Sequence, residues 1–151
     1  MDLDQLERFL LAARERTTLG KGNRQPPERP GAVEIVFREG GLTYRDSYFG
    51  QSRLVGQEVV RRAGLVVWAM SYFVLIESPA GGGEELASFL QRAQLSRYRE
   101  RRLLGPYHVE ERAYRYEDHT TGGLDLFQGE TVVTHHQQPV LRMPYLGGWV
   151  R

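Results

Sequence analysis

The chain has 151 residues, with 20 Lys plus Arg against 19 Asp plus Glu and a formal net charge of +1. That length suits one ordinary domain with a sizeable core, and the near-neutral balance argues against a generic polyanion binder. Cysteine is absent, which excludes disulfides and thiol catalysis and leaves a metal only His and carboxylate ligands.

Leu3, Leu6, Phe9, Leu10 and Ala13 recur at spacings of three and four, so Asp2 to Arg16 reads as an amphipathic helix. Asp2 and Asp4 suit its positive N-terminal end. Thr17 to Gly31, broken by Gly20, Gly22, Pro26, Pro27 and Pro30, reads as a long loop. Strand patterns follow at Val33 to Arg38 and Leu42 to Phe49, around the turn Glu39-Gly40-Gly41. Gly56 to Arg62 and Leu65 to Ile76 read as a hairpin about Ala63-Gly64. Pro79 to Gly83 breaks the pattern, and Glu84 to Tyr98 is a second amphipathic helix with Leu86, Phe89, Leu90 and Ala93 on one face. Short strands are expected near Arg112 to Glu117, Gly123 to Phe127, Thr131 to His135 and Pro139 to Tyr145. No apolar run approaches the roughly 20 residues of a membrane helix. The acidic start Met1-Asp2-Leu3-Asp4 is unlike a basic signal-peptide leader, so a cytoplasmic protein without a membrane partner is expected.

Laid along itself, the chain aligns Gly56 with Gly129, Val59 and Val60 with Val132 and Val133, and Val67, Met70 and Tyr72 with Val140, Met143 and Tyr145. Leu6, Phe9, Leu10 and Ala13 align with Leu86, Phe89, Leu90 and Ala93. This self-similarity predicts an α+β fold: two tandem helix-plus-antiparallel-sheet repeats, about 1–78 and 79–151, related by a pseudo-twofold within one domain 1–151. A groove between the halves, or a concave sheet face, is the default place for a ligand.

Alternation puts Tyr44, Asp46 and Tyr48 on one face of a strand and Trp68, Met70 and Tyr72 on one face of another. A carboxylate between two phenols could orient a ligand amine or a water, or be a satisfied pair at a sheet edge. Glu58 aligns with Thr131, so symmetry does not require a carboxylate there, and Asp46 with Glu58 could do acid–base work if buried together. Trp68 and Met70 also read as plain core. The candidate ligand-binding set is Tyr44, Asp46, Tyr48, Glu58, Trp68 and Tyr72; no catalytic residue is assigned.

Other motifs read blandly. Adjacent His135 and His136 on a strand would point to opposite faces, and no His-x-x-x-His spacing occurs among His108, His119, His135 and His136, so neither a metal nor a cofactor is expected. Arg97, Arg99, Arg101 and Arg102 suit a helix C-terminus and are diluted by Glu100, Glu110 and Glu111. Gly81-Gly82-Gly83 lacks the sequel of a phosphate-binding loop.

The runs Arg29-Pro30-Gly31, Tyr44-Arg45-Asp46-Ser47-Tyr48-Phe49-Gly50, Gly56-Gln57-Glu58-Val59-Val60 and Val67-Trp68-Ala69-Met70-Ser71-Tyr72 resemble a bacterial and archaeal family of unknown function. Its members stand alone or follow an Xre-type helix-turn-helix DNA-binding domain. The resemblance implies an effector-sensor-like module. This chain carries no helix-turn-helix itself, so no direct DNA binding is expected. Three functions compete: a small-molecule-binding module, an enzyme with an Asp/Glu acid–base site, and an interaction or oligomerisation module forming a homodimer. The sequence favours the first and weighs against an enzyme.

Overall fold

The structure, a computed structural model, describes residues 1–18, 20, 22–77 and 83–150. Its elements run α1 (Leu3–Thr18), β1 (Asn23–Gln25), β2 (Val33–Glu39), β3 (Leu42–Gly50), β4 (Arg53–Arg62), β5 (Leu65–Ile76), α2 (Gly83–Arg99), β6 (Tyr107–Glu111), β7 (Tyr114–Gly123), β8 (Leu126–His135) and β9 (Gln138–Trp149). Asp2 caps α1 by accepting the Gln5 N–H at 2.7 Å, which satisfies one of the free donors at a helix start. At the other end of α2, Arg101 adopts a left-handed φ of 60° and the Arg102 N–H reaches back to the Arg97 carbonyl, closing the last turn.

The nine strands of the described residues form one antiparallel sheet in the order β1-β2-β3-β4-β5-β9-β8-β7-β6. This corrects the expected fold of two tandem helix-plus-sheet repeats about a pseudo-twofold. Strand β5 pairs with β9, from Trp68 opposite Trp149 to Ile76 opposite Leu141, so the strands of 1–78 and 79–151 belong to a single sheet. The physical reason is that β5 and β9 would otherwise each expose a row of unpaired backbone donors and acceptors, which their pairing satisfies. Period-two alternation reveals a strand but not the edge it will join.

Smaller differences follow from the same limit. Part of the expected Thr17–Gly31 loop is β1, a three-residue edge strand whose Asn23 to Gln25 pair with Val36 to Glu34. The expected strand Gly123–Phe127 instead spans the end of β7, the two-residue turn Leu124–Asp125 and the start of β8. Gly83 begins α2, whereas Gly81 and Gly82 lie outside the described residues.

Both helices cover the same face of the sheet. Leu6, Phe9, Leu10 and Ala13 of α1 pack with Leu42, Tyr44, Val60, Trp68 and Met70. Leu86, Phe89 and Ala93 of α2 pack with Tyr114, Tyr116, Val133 and Leu141. The other face is open at Val55, Phe73 and Leu146, which are 50%, 41% and 63% exposed. Between β5 and β9 the pairing skips Phe73–Val74 opposite Met143–Pro144. Pro144 has no N–H to donate, so a proline in this central strand belongs at such an irregularity.

Candidate functional site

Register alone brings the polar residues of the covered face together. Asp46 of β3 lies opposite Glu58 of β4, and Glu58 opposite Met70 of β5. One pair further along, Tyr48 faces Gly56, and Gly56 faces Tyr72. Directly opposed residues of antiparallel strands project to the same side, so all of these point beneath the helices. Gly56 is required there: a Cβ on it would stand 2.6 Å from Tyr72 Cζ and 2.8 Å from Tyr48 Cβ. The missing side chain makes the space into which the Tyr72 ring folds back, placing its hydroxyl 2.7 Å from Asp46 Oδ1, to which it donates.

Arg14 of α1 closes over Glu58. Its Nε and Nη2 donate to Glu58 Oε2 at 3.0 and 2.7 Å, and both side chains are about nine-tenths buried. Burial opposes the charge on Arg14, but the attraction of Glu58 outweighs it together with smaller contributions, and its pKa is raised. Burial and the neighbouring Glu58 charge push the Asp46 carboxyl up to about 7, while the Tyr72 hydrogen bond and Arg14 pull the other way. Asp46 is therefore partly protonated near neutrality. Burial, then the Asp46 charge, raises the Tyr72 phenol, and burial pushes Tyr98 up to about 12, so both stay neutral donors.

These groups line a cavity of about 370 Å³ between the helices and the sheet. Five of the six residues singled out from the sequence, Tyr44, Asp46, Tyr48, Glu58 and Tyr72, reach it. The structure does not bring Trp68 there. Trp68 is fully buried, stacks against Phe127 and donates its indole N–H to the Leu124 carbonyl at 3.1 Å. The cavity's other walls come from α1 (Arg14, Thr17), α2 (Leu90, Gln94, Arg97, Tyr98) and the second half of the sheet (Tyr116, Met143, Tyr145).

A second polar cluster adjoins this one. Asp118 of β7 is fully buried; it accepts from Thr131 Oγ1 at 2.6 Å and from Tyr145 Oη at 2.8 Å, and pairs with Arg97 Nη1 at 3.0 Å. Arg97 spends its remaining donors on the Tyr116 hydroxyl and the carbonyls of Arg102 and Leu103. The expected basic cluster at the end of α2 is thus divided: Arg97 is internal, and Arg99 pairs with Glu15 across the surface.

Sequence reasoning passed over Arg14 and Asp118, and it placed Arg97 in the last turn of α2 without its burial. A signal existed for both arginines. Arg14 continues the stripe Leu6, Leu10 and Arg97 continues Phe89, Ala93, so each falls on the buried face of its helix. The histidine expectation also changes. His136 lies in a turn beyond β8 with φ 49°, so its ring meets that of His135 at a centroid distance of 4.3 Å instead of facing away. Among the described residues no group of three metal-ligating side chains is present, and no helix is long and apolar enough to cross a membrane.

Residues 46–150 match the model of a domain of unknown function (DUF5680). The chain belongs to that family. The matched span opens at Asp46 and includes Glu58, Tyr72, Asp118, Thr131 and Tyr145, while α1 with Arg14 precedes it. No curated protein and no solved structure matches this DUF5680 chain.

Proposed function

We propose that this protein is a small-molecule-binding module whose ligand occupies the cavity beneath the two helices. The observation that carries the reading is a partly open cavity of about 370 Å³ lined by Tyr44, Asp46, Tyr48, Glu58 and Tyr72. A pocket of a few hundred Å³, mostly apolar and aromatic with a few placed polar groups, is the usual form of a small-molecule site. In this reading the module acts as an effector sensor, as its resemblance to modules that follow Xre-type DNA-binding domains implies, and it does not itself contact DNA.

The test is a thermal-shift screen against a metabolite library, run on the native chain and on Val74→Phe, which fills the cavity from β5. A compound that binds only the folded state raises the melting temperature. The expected result is at least one compound that stabilises the native chain and not the filled variant. A screen with no hit, or hits that stabilise both chains equally, sinks the proposal.

A second reading rests on Asp46, whose carboxyl is raised to about 7 beside Glu58. A group that exchanges its proton near neutrality suits general acid–base catalysis. Mass spectrometry of each stabilising compound after incubation decides it: conversion that Asp46→Asn abolishes supports an enzyme, and unchanged compounds reject one.

A further inference from the structure

We propose that the cavity selects organic cations, primary amines above all, and that Asp46 is the anionic anchor for the ligand's ammonium group; this rests on the cavity being a ligand site. The charge arrangement carries the inference. Four charged side chains line the space: Arg14, Asp46, Glu58 and Arg97. Arg14 is matched by Glu58 at 2.7 Å, and Arg97 by Asp118 at 3.0 Å. Among the described residues, no cation is paired with Asp46. Its one side-chain hydrogen bond there is from the Tyr72 hydroxyl, which leaves lone pairs of the carboxylate for a ligand.

An anion would find no comparable anchor. Arg97 already donates through Nε, Nη1 and Nη2, and Arg14 donates through Nε and Nη2 to Glu58, so among these two guanidinium groups only Arg14 Nη1 makes no hydrogen bond within the described residues, and its charge is already matched by Glu58. Removing Glu58 from Arg14 would strand a buried carboxylate, which is costly. A cation placed at Asp46, by contrast, completes the charge balance in a space also lined by Tyr44, Tyr48 and Tyr72, and aromatic side chains tolerate a neighbouring positive charge. An ammonium has three donors and no acceptor, so it can meet Asp46 and still reach a phenol oxygen.

The anchor is also conditional. Without a ligand, Asp46 shares its surroundings with Glu58 on β4, Tyr72 on β5, Tyr44 and Tyr48 on β3, Arg14 on α1 and Tyr98 on α2. Burial and Glu58 make its carboxyl hold a proton up to about pH 7. A cation must displace that proton, so binding tightens as pH rises through neutrality and is accompanied by proton release.

Three probes of one shape separate the outcomes: benzylamine, benzyl alcohol and benzoate, titrated calorimetrically against the native chain, Asp46→Asn and the cavity-filled Val74→Phe. Benzylamine is expected to bind the native chain best of the three, roughly tenfold or more tighter at pH 8 than at pH 5.5, where fewer Asp46 carboxyls are ionised. Asp46→Asn should weaken it by about tenfold or more at pH 8 and remove the pH dependence, while remaining folded and still admitting benzyl alcohol. Equal or better binding of benzyl alcohol or benzoate, abolished in Val74→Phe, overturns the cation inference and leaves a binding cavity standing. Benzylamine binding that Asp46→Asn does not weaken overturns Asp46 as the anchor. Failure of all three probes at millimolar concentration overturns the inference and counts against the cavity as a small-molecule site.

Discussion

The clusters around Asp46 and Asp118 use similar parts to opposite ends. Each aspartate sits on a strand beneath a helix, takes a tyrosine hydroxyl, Tyr72 or Tyr145, and has an arginine from that helix near by, Arg14 or Arg97. Each tyrosine folds over a glycine, Gly56 or Gly129, where a Cβ would stand 2.6 Å from its Cζ. The neighbour across the strand pair differs. Asp118 faces Thr131, a donor at 2.6 Å, and keeps its arginine. Asp46 faces Glu58, a second carboxylate that takes Arg14 for itself. The first aspartate is consumed as structure and fully buried, whereas the second borders open space and holds its proton to about pH 7. One cross-strand residue, Thr131 or Glu58, decides between a closed network and a poised one.

The largest expected effect breaks the closed side. Asp118→Ala leaves Arg97 buried without its counter-charge, which should cost about 3–5 kcal/mol of unfolding free energy in urea titration. A loss below about 1 kcal/mol would mean that the carbonyls and Tyr116 suffice to hold Arg97.

A middle-sized effect tests the folded-back tyrosine. Gly56→Ala must displace Tyr72 or Tyr48 and should cost about 1–3 kcal/mol. It should also alter the titration of Asp46, read by carboxyl carbon NMR, because the Tyr72 hydroxyl moves. An unchanged midpoint would show that Tyr72 is not coupled to Asp46.

The smallest effect reverses sign relative to the first. A carboxyl raised from 3.8 to about 7 binds its proton more tightly in the folded chain, so its contribution to stability is complete below about pH 4 and is lost as pH climbs to about 7. Asp46→Asn carries no charge at any pH. It should match the native chain near pH 4 and exceed it by about 1–2 kcal/mol at pH 8, less than the full linkage value because the cavity admits solvent. A variant that is less stable than the native chain at pH 8 would place Asp46 with Asp118 as a structural charge.

Much of this site was legible along the chain. Alternation put Tyr44, Asp46 and Tyr48 on one face, and the alignment of Glu58 with Thr131 singled Glu58 out, although its pairing with the buried Arg14 was not visible. Local periodicity reads such features because a strand's side chains alternate whatever it pairs with. Arg14 and Arg97 were less visible, since a charged residue on an apolar helix stripe becomes intelligible only when its buried partner is known. Trp68 shows the converse. Its strand neighbours Met70 and Tyr72 reach the cavity, yet its own ring is filled in by Phe127 and the Leu124 carbonyl, from a distant part of the chain.

By itself the sequence determined the helices, most of the strands and the face each residue takes, because dihedral preference and apolar period act within a few residues. Only the tertiary structure decided that β5 joins β9 in one sheet, that Arg14 is committed to Glu58 and Arg97 to Asp118, and that Asp46 is left beside a cavity. Those outcomes depend on which backbone edges and buried charges lack partners, and such partners are satisfied by segments far apart in the chain.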